Sequence, residues 1–305
     1  MDFLNFVNYT LNIKFKYSKN LFIYDNYLIT LKNFIEDMDY CVYSKMIKLN
    51  SGAIFVCRFN KSNLIFDKFI AIFNDKIVNP LFVIEYNIMK EYRKYEDDNL
   101  IIYYKNYNLT KSLIFSITSI IFDLKEFFLK TSMDKIILIF VDKELSKVIY
   151  SITKASNFFD SKTKIIVFCN GIPDKNTIKH EMVHFFMSYY TDKWPCVFWR
   201  EGIAESFYDE EFYYKNLVNI NNIDRSKLNT PNVVNVKREY RILLGAIIRY
   251  LFNEYGKEKV IEAYIKSSNF DYEEILKDFF DTSIDNIIKI ISEKYNLYLG
   301  DNNEL

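Results

Sequence analysis

Near the N-terminus Leu11, Ile13, Phe15 and Tyr17 alternate with Asn12, Lys14 and Lys16. A two-residue period of this kind puts every second side chain on one face and predicts a half-buried strand. Similar extended runs occur at residues 21–29, 53–59, 69–73 and 80–86. Together they predict an antiparallel β-rich module over residues 1–97. The polar stretch KEYRKYEDDN, residues 90–99, reads as the separator between this module and the remainder of the chain.

Beyond it the pattern predicts an apolar strand at 100–104, a long helix at 110–130, and strands at 135–141 and 164–169. From residue 176 the period changes to that of helices, predicted at 177–190, 200–214, 241–254, 257–266, 271–280 and 283–294. Asp271 with Glu274 reads as a capping box, and Gly256 sits where a glycine closes a helix. The expected class is α+β: the β-rich module, then a second domain over residues 98–305. That domain divides into a strand and helix half (98–191) and a helical half (192–305).

Half of the 305 residues are hydrophobic, enough to build cores for two domains. Forty basic side chains balance forty acidic ones, so no overall field draws the chain to nucleic acid or to an anionic membrane. The 25 tyrosines and 28 phenylalanines against six glycines accompany abundant Ile, Asn and Lys and are spread along the whole chain. They read as core and rim filler rather than as a stacking surface. No apolar run reaches the roughly 18 residues of a membrane span; the nearest, at 112–124, carries Asp123. The first residues, MDFLNFVNYTLNIKFKY, lack a basic n-region and a small-residue cleavage site, and the cysteines Cys41, Cys57, Cys169 and Cys196 form no CxxC pair. Both features favour a cytoplasmic protein with reduced thiols. Nothing in the sequence sets an oligomeric state.

The only two histidines, His180 and His184, stand in KHEMVH. On a helix, residues four apart lie about 40° apart around the axis, so both imidazoles can aim at one ion. Glu181 points elsewhere on the turn, within reach of a water at that ion but not of the ion itself, which is the place of a general base. A catalytic zinc site takes three protein ligands and leaves one position open. Glu201 in WREGIAE is the best source of the third, and Glu205, one turn later, can accept a hydrogen bond from a ligand histidine and fix its tautomer. Gly202 permits close approach of the histidine helix and the glutamate helix.

The segment HEMVHFFMSYYTDKWPCVFWREGIAESF resembles the core of gluzincin zinc metallopeptidases, especially the peptidase MA-like group, in which HExxH is followed by an EGxAE helix. Downstream, YRILLGAIIRYLFNEYG and DYEEILKDFFDTSIDNII resemble the group's later helices, so the likeness covers residues 98–296. It implies a thermolysin-like catalytic domain with a mixed sheet and one Zn²⁺ per chain. His180, His184 and Glu201 would be ligands, Glu181 the general base, Glu205 the carboxylate behind the ligands and Tyr240 the oxyanion donor. The implied reaction is hydrolysis of a peptide or protein substrate bound as an added strand along the edge at residues 164–170, with Phe168, Cys169 and Asn170 at its end. That edge reads IIVFCNGIPD, without the glutamate by which exopeptidases of this kind grip a free amino terminus, so endopeptidase action is expected.

The alternative is a module in which zinc merely staples two helices and the cleft binds a peptide without cutting it. The ligand set argues against it, because structural zinc sites are closed and rich in cysteine. No GxxxxGK, GxGxxG or GxSxG occurs, which removes nucleotide-binding and serine-hydrolase readings.

Overall fold

The computed structural model describes four strands between residues 40 and 78 and, with short breaks of which 218–227 and 230–237 are the longest, the chain from residue 84 to 295. The strands predicted at 11–17 and 21–29 lie outside the described residues. Strands β1 (Tyr40–Leu49), β2 (Gly52–Lys61), β3 (Leu64–Phe73) and β4 (Lys76–Val78) form an antiparallel meander in chain order. The runs at 53–59 and 69–73 therefore pair as antiparallel strands. Of the run at 80–86 only residue 84 is among the described residues, and it is helical, as are 87, 88, 90 and 91.

A second sheet of five strands has the order β5-β6-β7-β9-β8, formed by Arg93–Glu96, Leu100–Tyr104, Ile136–Phe140, Ile165–Phe168 and Asn157–Asp160. β6, β7 and β9 run parallel, while β5 and β8 are antiparallel to their neighbours, so the sheet is mixed and the class is α+β. The polar stretch read as a separator is thus partly a strand of this sheet. β5 lies at the edge with mostly exposed side chains, and Glu96 pairs with Lys135 at 2.7 Å. A charged edge is a common device against sheet-to-sheet association, and it hides the strand from a hydrophobicity pattern.

The central strands are buried on both faces. Along β7 and just beyond it, Ile136, Leu138 and Phe140 enter one core while Ile139 and Val141 enter another; along β9, Ile166 and Phe168 oppose Ile165, Val167 and Cys169. Both strands accordingly read as unbroken apolar runs rather than as alternations. The first core is shared with α1 (Lys111–Phe127) and the C-terminal helices. The second takes Leu145 and Ile149 from α2 (Lys143–Thr153), Ile84, Ile88 and Tyr92, and Ile54 and Ala71 from the meander.

Helices α3 (Lys175–Met187), α4 (Val197–Ser206), α5 (Glu210–Asn216), α6 (Arg238–Tyr255), α7 (Lys257–Lys266), α8 (Tyr272–Phe280) and α9 (Ile284–Lys294) complete the described chain. The single helix predicted at 200–214 is two. Ser206 turns its hydroxyl onto the Ile203 carbonyl, and Asp209 is extended at the start of α5, which ends α4 after ten residues. Gly256, at φ +84°, closes α6 and opens α7. Asp271 caps α8 by accepting the Glu273 amide at 2.7 Å. Among the described residues no helix is long and apolar enough to cross a membrane.

Candidate metal centre

Helix α3 begins where Asp174, after Pro173, accepts the Thr177 amide at 2.9 Å. Ile178, Met182, Val183, Phe185, Phe186 and Met187 anchor the helix in the first core. This anchoring presents His180, Glu181 and His184 on its remaining face, each buried to 7 % exposure or less. Helix α4 begins after Pro195, with the Phe198 amide donating to the Leu228 carbonyl. The indole of Trp199 is wholly buried in the core, which turns Glu201 and Glu205 toward α3.

The two helices bring three ligand groups to one point. His180 Nε2 and His184 Nε2 stand 3.1 Å apart, Glu201 Oε2 is 3.5 Å from the first and Oε1 3.6 Å from the second. Nitrogen and oxygen ligands at ~2.05 Å in a tetrahedral arrangement lie about 3.3 Å from one another, so the spacing fits one small divalent ion. His180, His184 and Glu201 form a buried group that can hold a metal ion. The other face of His180 supports this: its Nδ1 lies 3.6 Å from Glu205 Oε1, and both His180 Nδ1 and Glu205 Oε2 are buried without a hydrogen-bond partner. A carboxylate behind a ligand imidazole is the arrangement that orients the ring toward an ion.

Packing sets the position of Glu205. A β-carbon on Gly245 of α6 would stand 2.6 Å from Glu205 Cβ, and one on Gly202 would stand 2.7 Å from Ile248 Cγ1. Gly202 therefore serves the contact of α4 with α6, not the expected contact with α3. Tyr213 on α5 donates its hydroxyl to the Glu205 carbonyl and ties down the same turn.

Burial disfavours charge throughout the metal-free site, and the neighbours decide which groups keep it. Burial opposes protonation of His180, but Glu201, Glu205 and Glu181 outweigh it and push the ring up to about 9. At His184 burial outweighs the pull of Glu201, and repulsion from His180, Arg200 and Arg241 adds to it, so the ring falls to about 3. Burial also opposes ionisation of Glu201, yet His184, His180 and Arg200 hold it well below the usual carboxylate range. Glu181 goes the other way, pushed up to about 7 by burial.

A cleft of ≈ 720 Å³ opens onto the triad. His180, Glu181, His184 and Glu201 form its polar floor, with Phe158, Phe159 and Trp194 among its walls. The structure corrects the expected substrate edge. The strand that borders the cleft is β8, not β9: β9 is interior, with β7 on one side and β8 on the other. Phe168 and Cys169 face opposite cores, and their main chains are engaged, Phe168 O by the Val141 amide and Cys169 N by Ser156 O. They have no free edge for a substrate; Asn170 lies outside the described residues. Tyr240 packs half-buried against the core and is not among the residues that line the cleft, while its neighbour Arg241 is. Trp194 is edge-on to His184 at 5.7 Å and forms part of the wall.

Sequence reasoning missed Arg200 and Arg241. Arg200 Nε lies 3.1 Å from Glu201 Oε1, and Arg241 Nη1 lies 3.7 Å from Oε2. Arg200 adjoins the ligand in WREG, a signal within reach of the sequence, but no sequence pattern marks Arg241. No known family model matches the chain, and no curated protein matches its sequence.

Proposed function

We propose that the chain is a zinc-dependent peptidase with a thermolysin-like catalytic domain of the gluzincin kind, acting as an endopeptidase. The observation that carries the reading is the buried His180, His184 and Glu201 group with the Glu181 carboxylate in the same cleft. Two imidazoles and one carboxylate are the ligand set of an open zinc site rather than a closed structural one. Zinc held there supplies Lewis acidity, polarising a scissile carbonyl and acidifying a water. Glu181 takes the proton of that water and passes it to the leaving amine. Burial suits it to this exchange, since a carboxyl raised toward neutral pH both accepts and releases a proton readily. An extended peptide adds to the outer edge of β8, whose residues 157–159 line the cleft, and its main chain hydrogen-bonds there.

The test is the metal content of the purified chain together with cleavage of an unstructured peptide library. One zinc per chain, with cleavage removed by a chelator and restored by zinc, is the expected result. Zinc without cleavage would transfer the reading to a zinc-stapled peptide-binding module, and a chain that takes up no zinc would overturn it.

Zinc must displace the proton on His180, which the metal-free protein holds up to about 9. Below that value affinity is expected to fall about tenfold per pH unit, and binding at pH 7.5 to release about one proton. Calorimetry in buffers of different ionisation enthalpy measures that number; zero released protons would contradict the assignment. Replacing Glu205 by Ala is expected to weaken zinc binding roughly 10- to 100-fold, read by competition with a chromogenic chelator. An unchanged affinity would reduce Glu205 to a packing residue.

A further inference from the structure

We propose that the cleft selects peptides presenting a carboxylate beside the scissile bond, and that Arg200 and Arg241 bind it; this rests on the peptidase reading. The two arginines do more than neutralise Glu201. That carboxylate is already shared between two imidazoles, and among the described residues no second carboxylate comes within ion-pair distance of either arginine, although Glu181 and Glu205 lie close enough to Arg241 to feel its charge.

Each guanidinium carries five N–H donors in a fixed fork, and hydrogen bonds to the described residues use few of them. Arg200 spends its Nε on Glu201, while its guanidinium lies 5.4 Å over the Trp194 ring. Arg241 approaches Glu201 only at 3.7 Å, outside hydrogen-bond range, and its Nε is buried with no partner. The Arg200 and Arg241 side chains are 12 % and 29 % exposed, so the remaining donors sit in a partly dehydrated wall rather than in open solvent. The Arg241 Nε–H, buried without a partner, costs free energy until a group accepts from it.

The charge of the lining agrees. Among the side chains that line the cleft, Glu181 and Glu201 offset Arg200 and Arg241 once metal binding has taken the proton from His180. A divalent ion then leaves an excess of two positive charges, and Glu205 behind His180 reduces it to one. An anion fills that deficit, and a planar carboxylate matches the guanidinium fork in two-point geometry. The aromatic walls of Phe158, Phe159 and Trp194 accept the apolar part of the same peptide. The carboxylate can be an acidic side chain or the free C-terminus, and the experiment separates the two.

Quenched fluorescent peptides of one apolar frame carry Glu, Gln or Lys at each position in turn, each with a free or amidated C-terminus. The zinc-loaded protein is expected to cleave the carboxylate-bearing member faster than its neutral twin by about ten- to a hundredfold in kcat/KM. A Glu-over-Gln ratio at one position identifies a side chain; a free-over-amidated ratio identifies the C-terminus. Arg241→Met should bring the ratio near unity, and Arg241→Lys should keep part of it. The ratio is internal to each variant, so loss of folded protein does not mimic the effect. Equal cleavage of Glu and Gln twins, or preference for Lys, would overturn the inference and leave the peptidase reading standing.

If no peptide is cut, fluorescence anisotropy of the same peptides on metal-free and zinc-loaded protein decides. Carboxylate-dependent binding lost in Arg241→Met would uphold the two arginines as a carboxylate site in a peptide-binding cleft while the peptidase reading, and with it selection at a scissile bond, fell. Binding indifferent to the carboxylate, or no binding, would end both.

Discussion

Glu181→Gln is expected to lower peptide hydrolysis by about 10²- to 10⁴-fold while the protein still binds one zinc per chain, because the amide keeps the shape of the side chain and removes only its ability to take a proton. Glu181 is 7 % exposed and lines the same cleft as the ligand histidines, yet it belongs to none of the close ligand pairs. Turnover and metal content should therefore separate. The pH dependence obeys the same logic. The base works only when ionised, so activity is lost as pH falls through its pKa. Burial sets that value at about 7 without metal, and a divalent ion nearby favours the anion, so the acid limb of kcat/KM should have its midpoint below 7 and disappear in the variant. Retained turnover in Glu181→Gln would remove Glu181 from the chemistry, and loss of zinc in the variant would make it a structural support instead.

The second large effect is on folding. Gly245→Ala should destabilise the protein by about 1–3 kcal/mol, the usual cost of forcing a methyl into a packed interface. The added carbon would stand 2.6 Å from Glu205 Cβ and 2.9 Å from the Glu205 carbonyl carbon, and a backbone atom cannot swing aside as a side-chain tip can. Helix propensity pulls the other way, by ~1 kcal/mol in favour of Ala, and is outweighed. Because α4 must move to relieve the clash, zinc affinity should fall with stability. Gly256→Ala is the control: at φ +84°, with only Glu258 Oε2 within 4 Å, it carries backbone strain of about 1–2 kcal/mol far from the ligands. It should lower the urea midpoint and leave zinc binding unchanged. A Gly245→Ala protein as stable as wild type would show that α4 and α6 have room to part.

Where a segment's burial is one-sided and its neighbours are local, its sequence reveals it. Strand β6, the helix capped by Thr110, and helices α7, α8 and α9 appear within a residue or so of their expected bounds, except that α1 ends three residues early. Helix α2 is not among the predicted elements although its signal is present: Asp142 accepts the Leu145 amide at 3.0 Å, and apolar residues recur at 145, 148, 149 and 152. β8 is four residues long with every side chain half-buried, too short and too even for a period to emerge. Without β8 the pattern assigns the sheet edge to β9, and with it the expected substrate-binding residues.

The sequence by itself determined the chemistry on offer: two histidines four apart with a glutamate between them and a second glutamate on a later helix. Helical periodicity alone places those groups, because spacing along one helix is a local property. Only the tertiary structure decided which strand borders the cleft, that Arg241 rather than Tyr240 lines it, and that Glu205 owes its place to a glycine forty residues downstream. Those are facts about which surfaces meet, and they depend on contacts between segments far apart in the chain, which no local pattern encodes.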